Sequence, residues 1–363
     1  MPAYKDTKTG KWYVKFRQKD WKGKTKNIMK RGFTTKHDAL QWETSYKQRE
    51  EGTTDMTFKD FITVYKADIG PRLRESTWVT KESIIDKKLM PGFADKKMND
   101  ITPADVVHWQ NEMMKEVDPK TGKAYSRVYL KTMQNQLSAI FNFGMRFYGL
   151  KSNPARIAGG MGSEDAGEMK FWTQEEYRKF AEVMMANPIA YYSFEMLYWT
   201  GIREGELLAL TWEDIDLDAR TVSVTKTYQK INGKELVTDP KTPTSRRVVT
   251  MPEFLCDELR DYLKMDYAPK KGERVFPITK SLLNKQIVAG AEKAGVKRIR
   301  VHDLRHSHIS LLINMGVSPV AIAKRVGHKS IYITYHYAHV FPSVQGQIAN
   351  QLDALNKEEQ EDD

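Results

Sequence analysis

Residues Val301 to His339 read VHDLRHSHISLLINMGVSPVAIAKRVGHKSIYITYHYAH and organise the rest of the chain. They hold six of the eight histidines of the chain, together with two arginines and three tyrosines. Apolar residues recur at helical spacing on both sides of Gly316, so we predict one helix from Asp303 and another from Ser318. A segment this rich in titratable and nucleophilic side chains beside a helical pattern is predicted to be the chemical centre of the protein.

Three of these side chains fall at predicted helix ends. His302 comes just before the first helix, Arg305 lies in its first turn, and His328 follows the glycine, Gly327, that ends the second helix. Helix ends hold their neighbouring residues in fixed positions through capping hydrogen bonds. We therefore expect His302, Arg305 and His328 to converge.

Two other interpretations of the histidines stay open from the residues alone. Any single histidine at a helix end is often a cap or a solvated side chain, because histidine has many roles. A zinc site could use His302 with His306, or His306 with His308. However, zinc hydrolases carry H-E-x-x-H on a helix, whereas here Arg305 lies inside the interval, and a cation next to a metal ion is unfavourable.

Composition favours a polyanionic partner. The 363 residues carry a formal charge of +11, with 29% charged and 11% aromatic residues, and they contain no long apolar run. Nucleic acid suits this balance better than a membrane surface. The first ten residues lack an apolar signal core, and Cys256 is the only cysteine, so we expect a cytoplasmic protein.

The N-terminal segment is strongly basic. Residues 1–52 hold 14 Lys and Arg against 6 Asp and Glu, a local charge of +8. Lys11 to Gln18 alternates as a strand, so its apolar and its polar side chains point to opposite faces, and a second basic strand and a helix from Thr35 follow. Such a charged strand face suits a DNA groove, although it can also be only solvated. The predicted DNA-contacting residues are Tyr13, Lys15, Arg17, Lys24 and Lys26.

From residue 54 the pattern becomes helical and predicts a bundle up to about residue 156. Residues 157–170 are rich in glycine and small polar residues, as in a linker. Beyond it, Ala190 to Trp199 predicts a buried helix that Gly201 ends. Arg203 follows, and an arginine beside an apolar helix needs a partner, which Glu206 provides one turn later. This pair can also be a purely structural salt bridge.

A small antiparallel sheet is predicted next. Its strands are Thr221–Thr227, a segment at Val237, and Arg246–Met251. Lys241 lies between them in the loop DPKTPTSRR, whose two prolines restrict the backbone. Taken by itself, Lys241 is a surface lysine on a hairpin.

Five motifs in chain order over residues 171–340 resemble the tyrosine recombinase family of phage and conjugative-element integrases. They are TGIREGEL around Arg203, KTPTSRR from Lys241, HDLRH at His302–His306, GHKSI around His328, and the Tyr337-Ala338-His339 that follows. Together with the patterning, the resemblance implies a multidomain, mainly α fold with small β-sheets. Its parts are an arm-type DNA-binding domain with a three-stranded sheet plus a helix (1–53), a helical core-binding bundle (54–156), a linker (157–170), and a mixed α/β catalytic domain with a C-terminal tail (171–363).

The resemblance also implies the reacting groups. Arg203 and Arg305 would hold the scissile phosphate, because two guanidinium forks match its non-bridging oxygens. Tyr337 would attack to give a 3′-phosphotyrosine and a free 5′-hydroxyl. Tyr332 and Tyr335 crowd the same segment, but only Tyr337 stands at the family distance from His328 and is followed by Ala-His.

The remaining roles follow from the same resemblance. Lys241 would protonate the leaving 5′-oxygen, His302 would transfer a proton, His328 would hydrogen-bond the phosphate, and Glu206 would orient the site. No metal or nucleotide is required, because the phosphotyrosine retains the bond energy for rejoining.

The implied partners are double-stranded DNA at core and arm sites, three further copies of the chain in a tetramer on DNA, an excisionase and a DNA-bending protein. The resemblance also implies a bacterial host and association with its nucleoid. A terminal helix in Ser343–Leu355 would pack either on its own domain or on a neighbouring protomer. Two other functions stay open. One is a type IB topoisomerase, which uses similar chemistry without synapsis. The other is a DNA-binding regulator with a vestigial site.

Overall fold

The chain folds into two compact units, Met1–Gly167 and Glu168–Asp363, in a computed structural model. The structure describes residues 3–7, 9–19, 25–50, 56–119, 121–164, 169–240, 243–265, 272–328 and 330. The predicted fold class, mainly α with small antiparallel sheets, is confirmed.

The first unit begins with the predicted three-stranded sheet and helix. The elements are β1 (Tyr4–Lys5), β2 (Trp12–Lys19), β3 (Thr25–Phe33) and α1 (Lys36–Glu50). Neighbouring strands are antiparallel in the order β1-β2-β3. Val14 and Phe16 are buried in one cluster with Ala39 of α1, whereas Lys15 and Arg17 are exposed. The alternation along β2 therefore gives the sheet one apolar face under α1 and one basic face.

A helical bundle with its own core follows. Its helices are α2 (Phe58–Ile69), α3 (Glu75–Ile84), α4 (Met90–Phe93), α5 (Pro103–Lys115), α6 (Arg127–Phe147) and α7 (Pro154–Ile157), and a π-helical turn (Ile85–Leu89) joins α3 to α4. The side chains of Thr57, Thr102 and Ser126 each accept a hydrogen bond from a backbone N–H three residues later. These caps fix where α2, α5 and α6 begin.

The second unit surrounds a buried helix. Its helices are α8 (Gln174–Met184), α9 (Pro188–Thr200), α10 (Glu204–Leu207), α11 (Glu253–Leu263), α12 (Lys280–Lys293), α13 (Asp303–Asn314) and α14 (Pro319–Val326). Its strands are β4 (Ile215–Asp216), β5 (Thr221–Val224), β6 (Thr227–Ile231), β7 (Lys234–Thr238) and β8 (Arg247–Thr250). The predicted buried helix is α9, which is apolar on nearly all sides and packs against α8, α11 and α13. Across the described ranges, no helix is long and apolar enough to cross a lipid bilayer.

The prediction of a single sheet in this unit is wrong, because the strands form two. One sheet has the order β4-β5-β8, and β6 and β7 form a separate hairpin. Asn232 and Gly233 both have positive φ, at 49° and 82°, as a two-residue type I′ turn requires, so β6 pairs with β7 rather than continuing β5. The predicted strand Thr221–Thr227 breaks before Thr227, where Lys226 forms a salt bridge with Asp214 at 2.8 Å.

Two glycines end the helices that meet at the predicted site. Gly201 after α9 and Gly327 after α14 both adopt left-handed backbone conformations, with φ of 67° and 69°. A Cβ on Gly201 would lie 2.4 Å from Cδ2 of His308, which belongs to α13. The close approach of α9 and α13 therefore requires glycine at this position.

We predict that Gly201→Ala destabilises the protein more than Gly316→Ala does. Gly316 also has a left-handed backbone, with φ of 77°, but a Cβ there would meet nothing within 4 Å. Gly316→Ala should lower the free energy of unfolding by roughly 1–2 kcal/mol through backbone strain alone. Gly201→Ala should lower it by roughly 1–3 kcal/mol more through overpacking. Urea unfolding of both variants checks this, and equal losses would show that α9 and α13 do not pack this closely.

Candidate active site

Five of the seven active-site residues predicted from the sequence lie in the described part of the chain. They are Arg203, Glu206, His302, Arg305 and His328. The other two, Lys241 and Tyr337, lie outside the described residues, as do Tyr332 and Tyr335.

Arg305 is buried in the first turn of α13, with 3% of its surface exposed. Its Nη1 donates to the carbonyl oxygen of Gly201 at 2.7 Å, and its Nη2 donates to that of Val326 at 2.5 Å. These carbonyls lie at the C-terminal ends of α9 and α14, where the helix dipoles concentrate partial negative charge. Two helix ends thus fix the orientation of the guanidinium group and offset the cost of burying its charge.

Arg203 reaches the same end of α14 from the start of α10. Its Nη2 donates to the carbonyl oxygen of Gly327 at 3.0 Å, next to the carbonyl that Arg305 uses. Its Nη1 lies 2.7 Å from Oε1 of Glu206, as the sequence predicts for this pair. The side chain of Arg203 is 35% exposed, so part of its guanidinium group is accessible to a ligand.

Glu206 binds a second arginine, to which the sequence analysis assigned no role. Nη1 and Nη2 of Arg247, on β8, donate to the two carboxylate oxygens at 3.2 and 2.9 Å. Burial by itself would raise the pKa of Glu206, but Arg247, followed by Arg203, holds it below its usual value. The sequence signal was the second arginine of KTPTSRR, which is the second residue of the predicted strand Arg246–Met251.

The histidines of the site are neutral at neutral pH. His302 is exposed, but the protein around its ring, and then the charges of His306 and Arg305, lower its pKa to about 4. The rings of His302 and His306 lie edge to face with their centres 5.2 Å apart. Burial lowers the pKa of His328 to about 3, and the charges of Arg305 and Arg203 act in the same direction. Neutral imidazoles beside arginines can accept protons or hydrogen bonds.

His308 and Arg325 form a hydrogen-bonded pair beside the site. Nε of Arg325 donates to Nε2 of the buried His308 at 3.1 Å, and its Nη atoms donate to the carbonyls of Trp199 and Thr250 at 3.1 Å. His308 is therefore engaged with an arginine, and His306, two residues away on α13, points in another direction. Within the described ranges, no group of three His, Cys, Asp or Glu side chains is arranged to hold a metal ion. A zinc ion bound by two of these histidines would thus lack a third protein ligand among the described residues.

A basic groove of about 690 Å³ lies between β8 and α14. Its cationic lining residues are Arg246, Arg247, Lys324 and Arg325, and His328 lines it as well. With Arg203 and Arg305 anchored at the same helix end, the region brings several cationic groups close together. Such an arrangement can bind a phosphate and stabilise negative charge that develops on it.

The residues predicted to contact DNA in the N-terminal sheet have different surroundings. On β2, Lys15 and Arg17 are exposed, whereas Tyr13 is half-buried and stacks on Tyr4 with ring centres 5.5 Å apart. The backbone of Lys26 lies in β3. Lys24 lies outside the described residues.

Three family models match the chain in order. The Arm DNA-binding domain model matches residues 2–49, the N-terminal SAM-like domain model of phage integrases matches residues 57–114, and the phage integrase family model matches residues 170–343. The last match contains the anchored arginines and all the active-site residues that the sequence predicts.

Relatives of the chain are similar over most of its length. The ICEBs1 integrase of Bacillus subtilis is 27% identical over 342 residues, which cover 89% of this chain and 91% of that protein. The integrase of Mycobacterium phage L5 is 26% identical over 283 residues, which cover 75% of this chain and 72% of that protein.

Solved structures share the fold. The Tn1549 transposon integrase in complex with a circular intermediate DNA has a TM-score of 0.67 at 18% identity, covering 83% of this chain and 99% of that one. A lambda integrase dimer bound to a core site has a TM-score of 0.60 at 16% identity, covering 92% and 93%. Matches to all three family models, in order along the chain, show that the chain belongs to the phage integrase family and is a tyrosine-type site-specific recombinase.

Proposed function

We propose that this recombinase integrates and excises a mobile element by cutting and rejoining DNA through a 3′-phosphotyrosine intermediate. The proposal rests on one observation: Arg203 and Arg305 are both anchored at the C-terminal end of α14, next to the neutral His328. The relatives support the wider role, since their names include an ICEBs1 integrase and a phage integrase.

The two arginines hold the scissile phosphate in this mechanism. Each guanidinium group has five N–H donors, so Arg305 can bind two helix-end carbonyls and still offer donors to a phosphate oxygen. Because the protein orients both groups before DNA arrives, little reorganisation is needed when negative charge builds up on the phosphate. His328, beside them, donates a further hydrogen bond to the phosphate.

Tyr337 is the nucleophile. Its phenolic oxygen attacks the phosphorus, the bond from phosphorus to the 5′-oxygen breaks, and the DNA 3′-end becomes joined to the tyrosine. His302 accepts the phenolic proton, which its neutral state at pH 7 permits. The Lys241 ammonium group gives its proton to the departing 5′-oxygen, so that a 5′-hydroxyl forms. Rejoining reverses each transfer, and hence needs no nucleotide.

The N-terminal modules bring the DNA. We assign arm-site binding to residues 1–53 and core-site binding to residues 54–156, with residues 157–170 as the linker to the catalytic domain at 171–363. On the arm module, the basic face of β2 with Tyr13, Lys15 and Arg17, together with Lys24 and Lys26, contacts DNA.

Recombination further implies assembly. Two pairs of strands must be exchanged, so four copies act together on DNA, and the solved lambda integrase tetramer bound to a Holliday junction provides a precedent for this arrangement. An excisionase and a DNA-bending protein set the direction of the reaction. Chromosomal DNA as substrate implies a cytoplasmic, nucleoid-associated location.

Two other functions make different predictions. A type IB topoisomerase would relax supercoiled plasmid without a specific site, and a regulator with a vestigial site would bind DNA without cleaving it. The arm module favours recombination, because a second DNA-binding module on one chain suits the bridging of distant sites.

Covalent trapping tests the nucleophile. Nicked duplexes from the ends of the element that encodes the protein are incubated with wild type, Tyr337→Phe and Tyr335→Phe in the presence of a chelator. We predict a protein–DNA adduct on a denaturing gel for wild type and Tyr335→Phe, and none for Tyr337→Phe, which keeps its DNA affinity. An adduct that disappears only in Tyr335→Phe would identify Tyr335 as the nucleophile. Binding of DNA by wild type without any adduct would favour the regulator.

A sulfur substitution tests Lys241 as the general acid. Lys241→Ala should cleave ordinary DNA roughly 10²–10⁴-fold more slowly than wild type, because the 5′-oxygen then leaves without a proton. Replacing that bridging oxygen with sulfur should restore the cleavage rate of Lys241→Ala, since a thiolate leaves readily without protonation. Arg305→Ala is the control and should stay slow on both substrates. If Lys241→Ala also stays slow on the sulfur substrate, Lys241 is not the acid.

A further inference from the structure

The guanidinium group of Arg247 donates four hydrogen bonds near the site. Its side chain is 6% exposed. Besides both oxygens of Glu206, its guanidinium group donates to the carbonyl of Arg325 at 2.8 Å and to that of Ser245 at 3.0 Å. One buried side chain on β8 therefore connects the start of α10 with the last turn of α14.

Arg247 also packs against the glycine that ends α14. A Cβ on Gly327 would lie 3.1 Å from Cδ and from Nη1 of Arg247. The carbonyl of Gly327 accepts from Arg203, and His328 follows it in the chain. Arg247 thus packs against the segment that presents both an anchor for Arg203 and the His328 ring.

The charges explain why a second arginine is needed. Glu206 is 3% exposed and bears one negative charge between two cations, Arg203 and Arg247. If Arg203 alone balanced this carboxylate, its charge would be largely used within the protein, and a phosphate would have to compete for it. With Arg247 bound to both carboxylate oxygens, the pair is neutral and the charge of Arg203 remains available.

We infer that Arg247 is a positioning residue for strand cleavage: it neutralises Glu206 and supports the end of α14, so that Arg203 and His328 face the scissile phosphate. The inference rests on the proposed phosphoryl-transfer function of Arg203 and deepens it. Arg247 itself does not touch the reacting atoms in this role. Lysine cannot fully replace it, because one ammonium group lacks the planar fork that binds two carboxylate oxygens at once.

The test measures cleavage separately from binding. Single-turnover cleavage rates of a nicked duplex, fully bound by protein, are compared for wild type, Arg247→Lys and Arg247→Met. We expect a loss of about 100-fold for Arg247→Met, as for a misplaced catalytic group, and a smaller loss for Arg247→Lys. Arg260→Met, which removes an arginine bound to Asp257 on α11, should change the rate by less than about threefold.

The distinguishing measurement is a rescue. In the Arg247→Met protein, adding Glu206→Gln removes the charge that draws Arg203 away, so the double variant should cleave faster than Arg247→Met alone. A purely structural role of Arg247 predicts the opposite, because a further change in a damaged site lowers the rate again. Thermal unfolding identifies variants that do not fold. If Arg247→Met does not fold, the cleavage rate of Arg247→Lys is compared instead with that of Arg247→Lys combined with Glu206→Gln.

The outcomes separate the two proposals. A folded Arg247→Met that cleaves at the wild-type rate, or losses that multiply in the double variant, would overturn the positioning role while the recombinase mechanism stands. The absence of any adduct from wild type would overturn the proposed mechanism and this inference with it. A slow Arg247→Met whose rate rises with Glu206→Gln supports both.

Discussion

The hydrogen bonds from the buried Arg305 guanidinium group to the carbonyls of Gly201 and Val326 are the constraint on which the site depends. They require the ends of α9 and α14 to meet over the first turn of α13, which the left-handed Gly201 and its contact with His308 permit. A buried cation is stable here because helix C-termini present partial negative charge. The rest of the second unit holds these three helix ends together.

Electrostatics follow from that geometry. Arg203 and Arg247 bind the buried carboxylate of Glu206, and backbone carbonyls hold Arg305 and Arg325 nearby, so cationic groups are concentrated at the site before DNA binds. Burial, and then the charge of Arg305, lowers the pKa of His302 and of His328 and keeps both imidazoles neutral. A site that attracts a phosphate and also holds uncharged imidazoles can both stabilise charge and move protons, which are the two demands of attack by a phenol.

Much of this was predictable from the sequence, for definite reasons. The helix start at Ser318, the buried helix before Gly201 and the Arg203–Glu206 pair all depend on residues close in the chain, and the structure contains each of them. The pattern predicted one sheet where two form, because the Asn-Gly turn at Asn232 pairs β6 with β7 instead. Arg247 belongs to a motif of the sequence, but its contact with Glu206, 41 residues away, has no local signal. The domain boundaries, the catalytic roles of all the site residues and the DNA contacts of the N-terminal sheet stay predictions.

If Arg203 and Arg305 bind the scissile phosphate, the protein orients both groups before DNA arrives. A crystal structure of Tyr337→Phe bound to a duplex from the end of the element would show this. We expect the scissile phosphate to contact Arg203 and Arg305, while Arg305 still donates to the carbonyls of Gly201 and Val326. A phosphate bound away from these arginines, or an Arg305 that leaves both carbonyls to reach it, would show that the site is not arranged in advance.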